Sequence, residues 1–174
     1  NPYFAEQILV YLQEERLLEM SEGGWRITRA FQDLSLPADI RALLMARLDQ
    51  LSNAVCDAIQ TASVLGREFD VRVLAAILGD APILFELLGE AERAEILSPV
   101  NPNSYIFRHG LIRDAAYSMQ MRARRQELHA SVVDALEKLY PGEMERHYGE
   151  LAYHAEHANL PARALHYLPL AGSQ

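Results

Sequence analysis

The side chains of this 174-residue chain best placed to do chemistry are histidines and arginines. His109 ends an apolar, strand-like run, Tyr105 to Arg108, and stands just before a helical pattern that begins at Leu111. A helix N-terminus presents unpaired N–H groups and the positive end of a dipole, which favours a phosphate, and an imidazole there can donate one more hydrogen bond. The plainer alternative is that His109 caps the helix or packs beneath the strand. A second group is His147, Glu150, His154 and His157, at i, i+3, i+7 and i+10. On a helix these share one face, and histidine with carboxylate can bind zinc. The four nevertheless spread over roughly 15 Å of helix axis at 1.5 Å per residue. Only neighbours such as Glu150 and His154 could share an ion, so the face reads as solvated or as packing between repeats, and no metal site is expected. Arg122, Arg124 and Arg125 form the one basic cluster, with Arg113 nearby; it could touch phosphate or an acidic domain, but a solvated helix end explains it as well.

Other chemistries lack their parts. No Gly-x-x-x-x-Gly-Lys-Ser/Thr loop is present, so the chain cannot cradle a triphosphate and magnesium by itself. No serine or cysteine has the histidine and acid partners of a nucleophilic site in a supporting loop context. Cys56, the sole cysteine, lies among apolar helical positions and is expected to be inert; it excludes an internal disulfide and a cysteine-rich zinc site. A reduced, cytoplasmic setting fits this usage. No apolar run approaches the roughly 20 residues that span a bilayer.

The elements that must position these groups are mostly helices. Half of the residues are hydrophobic, Leu and Ala dominate, and β-branched residues are sparse. Pro2 suits the first turn of a helix, where its missing N–H costs nothing, and Phe4, Ile8, Tyr11 and Leu12 continue that helix to about Leu18. Gly23-Gly24 marks a turn, and Trp25 to Thr28 reads as a short strand. Pro37 opens a helix with Asp39 in its first turn and an apolar stripe from Ile40 to Leu51. Asn53 can cap a helix that Gly66 stops, Asp70 one that Gly79 stops, and Asp80 a third running from Ala81 to Glu95. Ile96 to Val100 and Tyr105 to Arg108 then form a hairpin about the turn Asn101 to Ser104. Three short helices followed by a hairpin make a winged helix. Beyond it, helices are expected over Leu111–Gln120, around Leu128–Leu139, over Met144–Ala158 and from Pro161 to Leu168, paired as at the start of a tetratricopeptide-like solenoid.

A winged helix invites a DNA-binding reading, and the residues argue against it. The third helix carries Glu86, Glu90, Glu92 and Glu95 with Arg93 as its only cation, and the wing has neither Lys nor Arg. Such a surface is repelled by phosphates, and the whole chain has a net charge of −8.

Three segments resemble the STAND class of P-loop signalling ATPases, nearest to bacterial predicted ATPases of large transcriptional regulators and of proteins with adenylate/guanylate cyclase domains. Asn1-Pro2-Tyr3-Phe4-Ala5-Glu6 is similar to the class signature Gly-Asn-Pro-aromatic-Phe-x-Glu without its Gly. Leu36-Pro37 is followed by Ile40-Arg41-Ala42-Leu43-Leu44 and Arg47-Leu48. The most specific is Phe107-Arg108-His109-Gly110-Leu111-Ile112-Arg113-Asp114-Ala115-Ala116-Tyr117. A weaker likeness covers Leu151-Ala152-Tyr153-His154 and Ala164-Leu165-His166-Tyr167-Leu168.

The resemblance implies a mainly α protein: a helical lid over residues 1–52, a winged helix over 53–120, and the first tetratricopeptide-like hairpins over 121–174. It implies that ATP or ADP, with magnesium, is held by a P-loop domain elsewhere in a longer polypeptide, and that this part is regulatory and not an enzyme in itself. Pro2 would line the adenine side and His109 would reach the β-phosphate of ADP in a closed, resting state. In plant disease-resistance proteins that histidine lies in Met-His-Asp; here Arg108 replaces the Met and Gly110 the Asp, which normally supports the loop. The implied partners are the P-loop domain and, through the helical repeats, other protein domains; neither DNA nor membrane is expected to bind this segment.

Overall fold

A computed structural model of the chain describes residues 18–21, 24–27, 44–46, 48–79 and 81–172. Two compact units divide at Leu44/Met45. In the first, β1 (Leu18–Ser21) pairs antiparallel with β2 (Gly24–Ile27), with Leu18 opposite Ile27 and Ser21 opposite Gly24. The strand expected at Trp25–Thr28 therefore starts one residue earlier. Leu18, expected near the end of a helix, opens its partner strand instead. Pro2, Pro37 and Asp39 lie outside the described residues. Residues 44–46 and 48–49 are helical, as the stripe from Ile40 to Leu51 requires.

The second unit is mainly helical, with a small three-stranded antiparallel sheet. Within it, α1 (Asn53–Leu65) buries Val55, Ala58, Ile59 and Ala62, the i, i+3, i+4, i+7 stripe of one face. Its cap is Ser52, not Asn53: the Ser52 hydroxyl accepts the Val55 N–H at 3.3 Å from an extended backbone. Asn53 sits one position too far along to reach an orphan amide. Gly66, at φ 137°, ends the helix in a conformation a side chain would strain.

Sequence reasoning missed β3 (Glu68–Asp70) altogether. It leads into α2 (Val71–Leu78), where the expected capping holds: Asp70 Oδ1 accepts the Arg72 N–H at 2.7 Å, and Gly79 closes the end with φ 75°. The third helix, α3 (Ala81–Arg93), is two residues shorter than expected, because Glu95 turns to φ 59° ahead of the sheet. Asp80, its expected cap, is outside the described residues. The strands β4 (Leu97–Asn101) and β5 (Ser104–Phe107) form the expected hairpin around Pro102-Asn103, with a bulge between Pro99 and Asn101. The sheet order is β3–β5–β4, so the missed strand covers the open edge of β5. Phe69 pairs with Tyr105 in register and stacks on it at 6.4 Å, and its ring also meets that of Phe107 at 5.9 Å.

Four further helices follow: α4 (Gly110–Ser118), α5 (Arg122–Leu139), α6 (Tyr148–His157) and α7 (Pro161–Ala171). The expected helix from Met144 is split, since Met144–His147 is a 3-10 turn and the α-helix begins at Tyr148. Pro161 occupies the first turn of α7, as expected. The long α5 joins the parts. It packs on α1 and α2 on one side and on α6 on the other, and α7 packs on α6. Val64 and Val73 from the front of the unit thus share a core with Leu128, Val132, Leu136, Leu151, Ala155 and Tyr167.

Asp70 ties these layers together. Beyond its cap, its carboxylate holds the Arg72 guanidinium at 2.6 Å and accepts the Tyr140 hydroxyl, from the end of α5, at 2.7 Å. Partial burial raises its pKa, but these hydrogen bonds outweigh that and hold it below 3.8. Asp70→Ala removes the cap and strands the Tyr140 hydroxyl together, an expected loss of about 2–3 kcal/mol of unfolding free energy in urea denaturation. Asp70→Asn, which can still cap, is expected to lose less.

Candidate functional site

The loop between β5 and α4 carries His109. Its backbone is extended, at φ −130° and ψ 128°, in the capping position of α4. Its carbonyl accepts the Ile112 N–H at 3.1 Å. Its side chain does not cap the helix, and it is exposed rather than packed under the hairpin. Of the plainer alternatives, His109 does hold the capping position, through its backbone alone, and it is not packed beneath the strand. Next to it, a Cβ built on Gly110 would meet nothing within 4 Å among the described residues.

The neighbours of His109 hold the loop rather than reach outward. Arg108 donates to Ser98 Oγ at 2.9 Å and lies 3.5 Å from the Glu95 carboxylate, which clips the end of β5 to the start of β4. Arg113 donates to the Ser63 carbonyl at 2.8 Å, pairs with Asp114 at 3.0 Å and lies over the Tyr117 ring. It pins the first turn of α4 to α1. The backbone conformation at His109 is therefore fixed from both sides by arginines that a phosphate contact would have to detach. Pro2, the other expected site residue, lies outside the described residues.

On α3, Glu86, Glu90 and Arg93 are exposed and Glu92 is half-buried; Glu95 stands beyond the helix end. Of the carboxylates expected to repel a nucleic acid, Glu86 and Glu90 face solvent along this helix.

The histidine series at the C-terminal end is arranged differently from the expected single face. His147 belongs to the 3-10 turn and pairs with Glu150 at 3.1 Å. His154 is buried, and its Nδ1 lies 2.7 Å from Nδ1 of His129 on α5, a residue that sequence reasoning had not singled out. Nε2 of His129 lies 3.0 Å from the Tyr117 hydroxyl. With both imidazoles neutral the chain is satisfied in either direction: Tyr117 O–H donates to His129 Nε2 while His129 Nδ1–H donates to His154 Nδ1, or His154 Nδ1–H donates to His129 Nδ1 while His129 Nε2–H donates to the Tyr117 oxygen. Burial, then the positive groups around them, lowers the pKa of both rings, His129 to about 4 and His154 to about 3. Those groups are His157, Arg113 and Arg125 for His129, and His129, His157 and Arg113 for His154. His157 is exposed, and its Nδ1–H donates to the Tyr153 carbonyl at 2.8 Å. Among the described residues, no three His, Cys, Asp or Glu side chains are placed to share a metal ion.

Cys56 is half-buried, and its thiol accepts the Gln60 amide at 3.4 Å. Burial pushes its pKa up, which disfavours the reactive thiolate. No helix among the described residues is long and apolar enough to cross a membrane. Compared with known proteins, the chain matches no family model and no curated protein.

Proposed function

We propose that this chain is a regulatory segment of a STAND-class signalling ATPase that couples the ATP or ADP state of a P-loop domain to an output domain. On this reading residues 53–120 are a winged helix and residues 121–174 open a tetratricopeptide-like solenoid. The order α1–β3–α2–α3–β4–β5 supports the first, and the successive packing of α5 on α6 and of α6 on α7 supports the second. The segment is not itself an enzyme; ATP or ADP and magnesium belong to the P-loop domain, and the setting is cytoplasmic.

One observation carries the proposal. His109 sits exposed at the start of α4, between Arg108 and Arg113, which are held by their own contacts, and its side chain makes no hydrogen bond to the described residues. A phosphate fits there chemically. The first amides of α4 point out of the helix end, Gly110 adds no side chain, and the imidazole supplies a donor. Bound ADP supplies the negative charge; His109 supplies a contact available only while α4 faces the nucleotide. That differential contact is what lets nucleotide identity bias one arrangement over another. Pro2 is assigned to the adenine side by its place in the resembling signature.

The carboxylates of α3 weigh against DNA as the partner. Leu165 and Leu168, exposed on α7, support protein contacts through the repeats. In the full-length protein, His109→Ala is expected to weaken ADP retention roughly tenfold to hundredfold, the worth of a hydrogen bond to a charged group. Nucleotide content after purification and ADP release rate check this. Unchanged retention would leave a protein-interaction scaffold as the better reading.

A further inference from the structure

Tyr117, at the end of α4, opens onto a cleft of about 480 Å³ between that helix, the first turns of α5 and the end of α6. Arg122 and Arg125 line it, with His157 and Asn159 opposite and Glu156 as its one carboxylate. Arg72, Arg108, Arg113, Arg124, Arg146 and Arg163 each pair with a carboxylate; the two arginines of this cleft, Arg122 and Arg125, pair with none among the described residues. Arg125 is held instead over the Tyr117 ring at 4.9 Å, while Arg113 covers the same ring at 5.1 Å. Cation–π contact fixes the guanidinium without using its N–H donors.

The opposite wall is also set. The Nδ1–H of His157 is committed to Tyr153, which leaves Nε2 of that ring without a partner among the described residues. Asn159 is held at φ 58° by its N–H bond to the Glu156 carbonyl, a left-handed position that ends α6 and sets the amide at the cleft. Within a chain of net charge −8, one guanidinium held over a ring and a second, exposed one beside it give a ligand-sized cleft a local excess of positive charge.

We propose that this cleft binds a small organic oxyanion, a phosphate monoester or a carboxylate, gripped by Arg122 and Arg125 with Asn159 and His157 completing the hydrogen bonds. Both anion types match the guanidinium fork. The site shares no lining residue with the His109 loop, so it stands whether or not that loop meets a nucleotide.

The test is a titration of the whole ¹⁵N-labelled chain with inorganic phosphate and, separately, acetate, against sodium chloride at matched ionic strength. The ring signals of His157 and the side-chain amide of Asn159 are expected to move and saturate. Saturation by phosphate alone assigns a phosphate monoester; saturation by acetate as well assigns a carboxylate. Arg122→Gln with Arg125→Gln is expected to weaken binding about tenfold or more, while Arg163→Gln leaves it unchanged. Arg122→Gln alone, at an exposed side chain, keeps the test valid if the double variant misfolds. Shifts that stay linear and equal those from chloride overturn the proposal, as does saturable binding that survives loss of the arginines.

Discussion

Lowering the pH from 7 to 5 is expected to reduce the unfolding free energy by about 2 kcal/mol for each of His129 and His154. The two rings are buried and share one proton between their Nδ1 atoms at 2.7 Å. In the unfolded chain each titrates near 6.5; in the folded chain burial and the nearby His157, Arg113 and Arg125 hold them to about 4 and about 3. The unfolded state therefore binds more protons than the native state below about pH 6.5. Stability contributed by the neutral pair is complete above that value and is lost as pH falls toward 4. Asp70 works the other way round: its depressed pKa makes its contribution disappear only below about 3.8, so it is silent in this window. Urea midpoints measured at pH 7 and pH 5 read the effect directly. His129→Leu combined with His154→Leu is expected to flatten the dependence, because replacing both partners by apolar groups leaves no buried nitrogen unpaired. His154→Leu alone is expected to be worse at pH 7, since it strands His129 Nδ1 inside the core. Equal midpoints at the two pH values in the unaltered protein would mean that the pair already carries charge in the fold, against the geometry.

What the sequence reveals and what it hides divides by range. The capping of α2 is legible because Asp70 and Gly79 act within a turn of their own helix. The place of His109 is legible for the same reason, since strand end and helix start are adjacent along the chain. The strand β3 is not, because three residues with one buried side chain, Phe69, give no period to detect; it exists through its partner β5, some 35 residues away. The histidine pair is hidden too. Spacing along α6 suggested that His147, Glu150, His154 and His157 belonged together, whereas His154 turns inward to His129, which is 25 residues earlier. The role of Arg113 is equally non-local: its acceptor, Ser63, is 50 residues back, and nothing near either residue announces it. The basic cluster was seen, but its composition alone could not separate Arg124, paired with Glu127, from Arg122 and Arg125, which are not paired. Helical periodicity recovers the elements; the long-range polar contacts, which set the chemistry of each site, come only with the fold.

Phe107→Ala is expected to cost about 3–5 kcal/mol, the range for deleting a fully buried aromatic ring. Phe107 is fully buried at the inner end of β5. Its ring meets Phe69 at 5.9 Å, its N–H bonds to the Arg67 carbonyl at 2.8 Å, and Leu97 faces it across the hairpin. The cavity cannot collapse easily, because strands fix it on two sides and α4 begins three residues later. For a chain of this size the loss corresponds to a fall in melting temperature on the order of 10 °C. The contrast with His109, two residues on, makes the measurement informative. That side chain is exposed and makes no cap, so His109→Ala is expected to leave stability within about 0.5 kcal/mol. Phe107→Ala should loosen the strand end that aims His109, and so lower both stability and ADP retention in the full-length protein. His109→Ala should lower retention alone. Thermal and urea denaturation of the two variants beside wild type separates them. A Phe107→Ala protein that unfolds within about 1 kcal/mol of wild type would show that the sheet corner does not anchor the loop, and the fixed geometry argued for His109 would lose its physical basis.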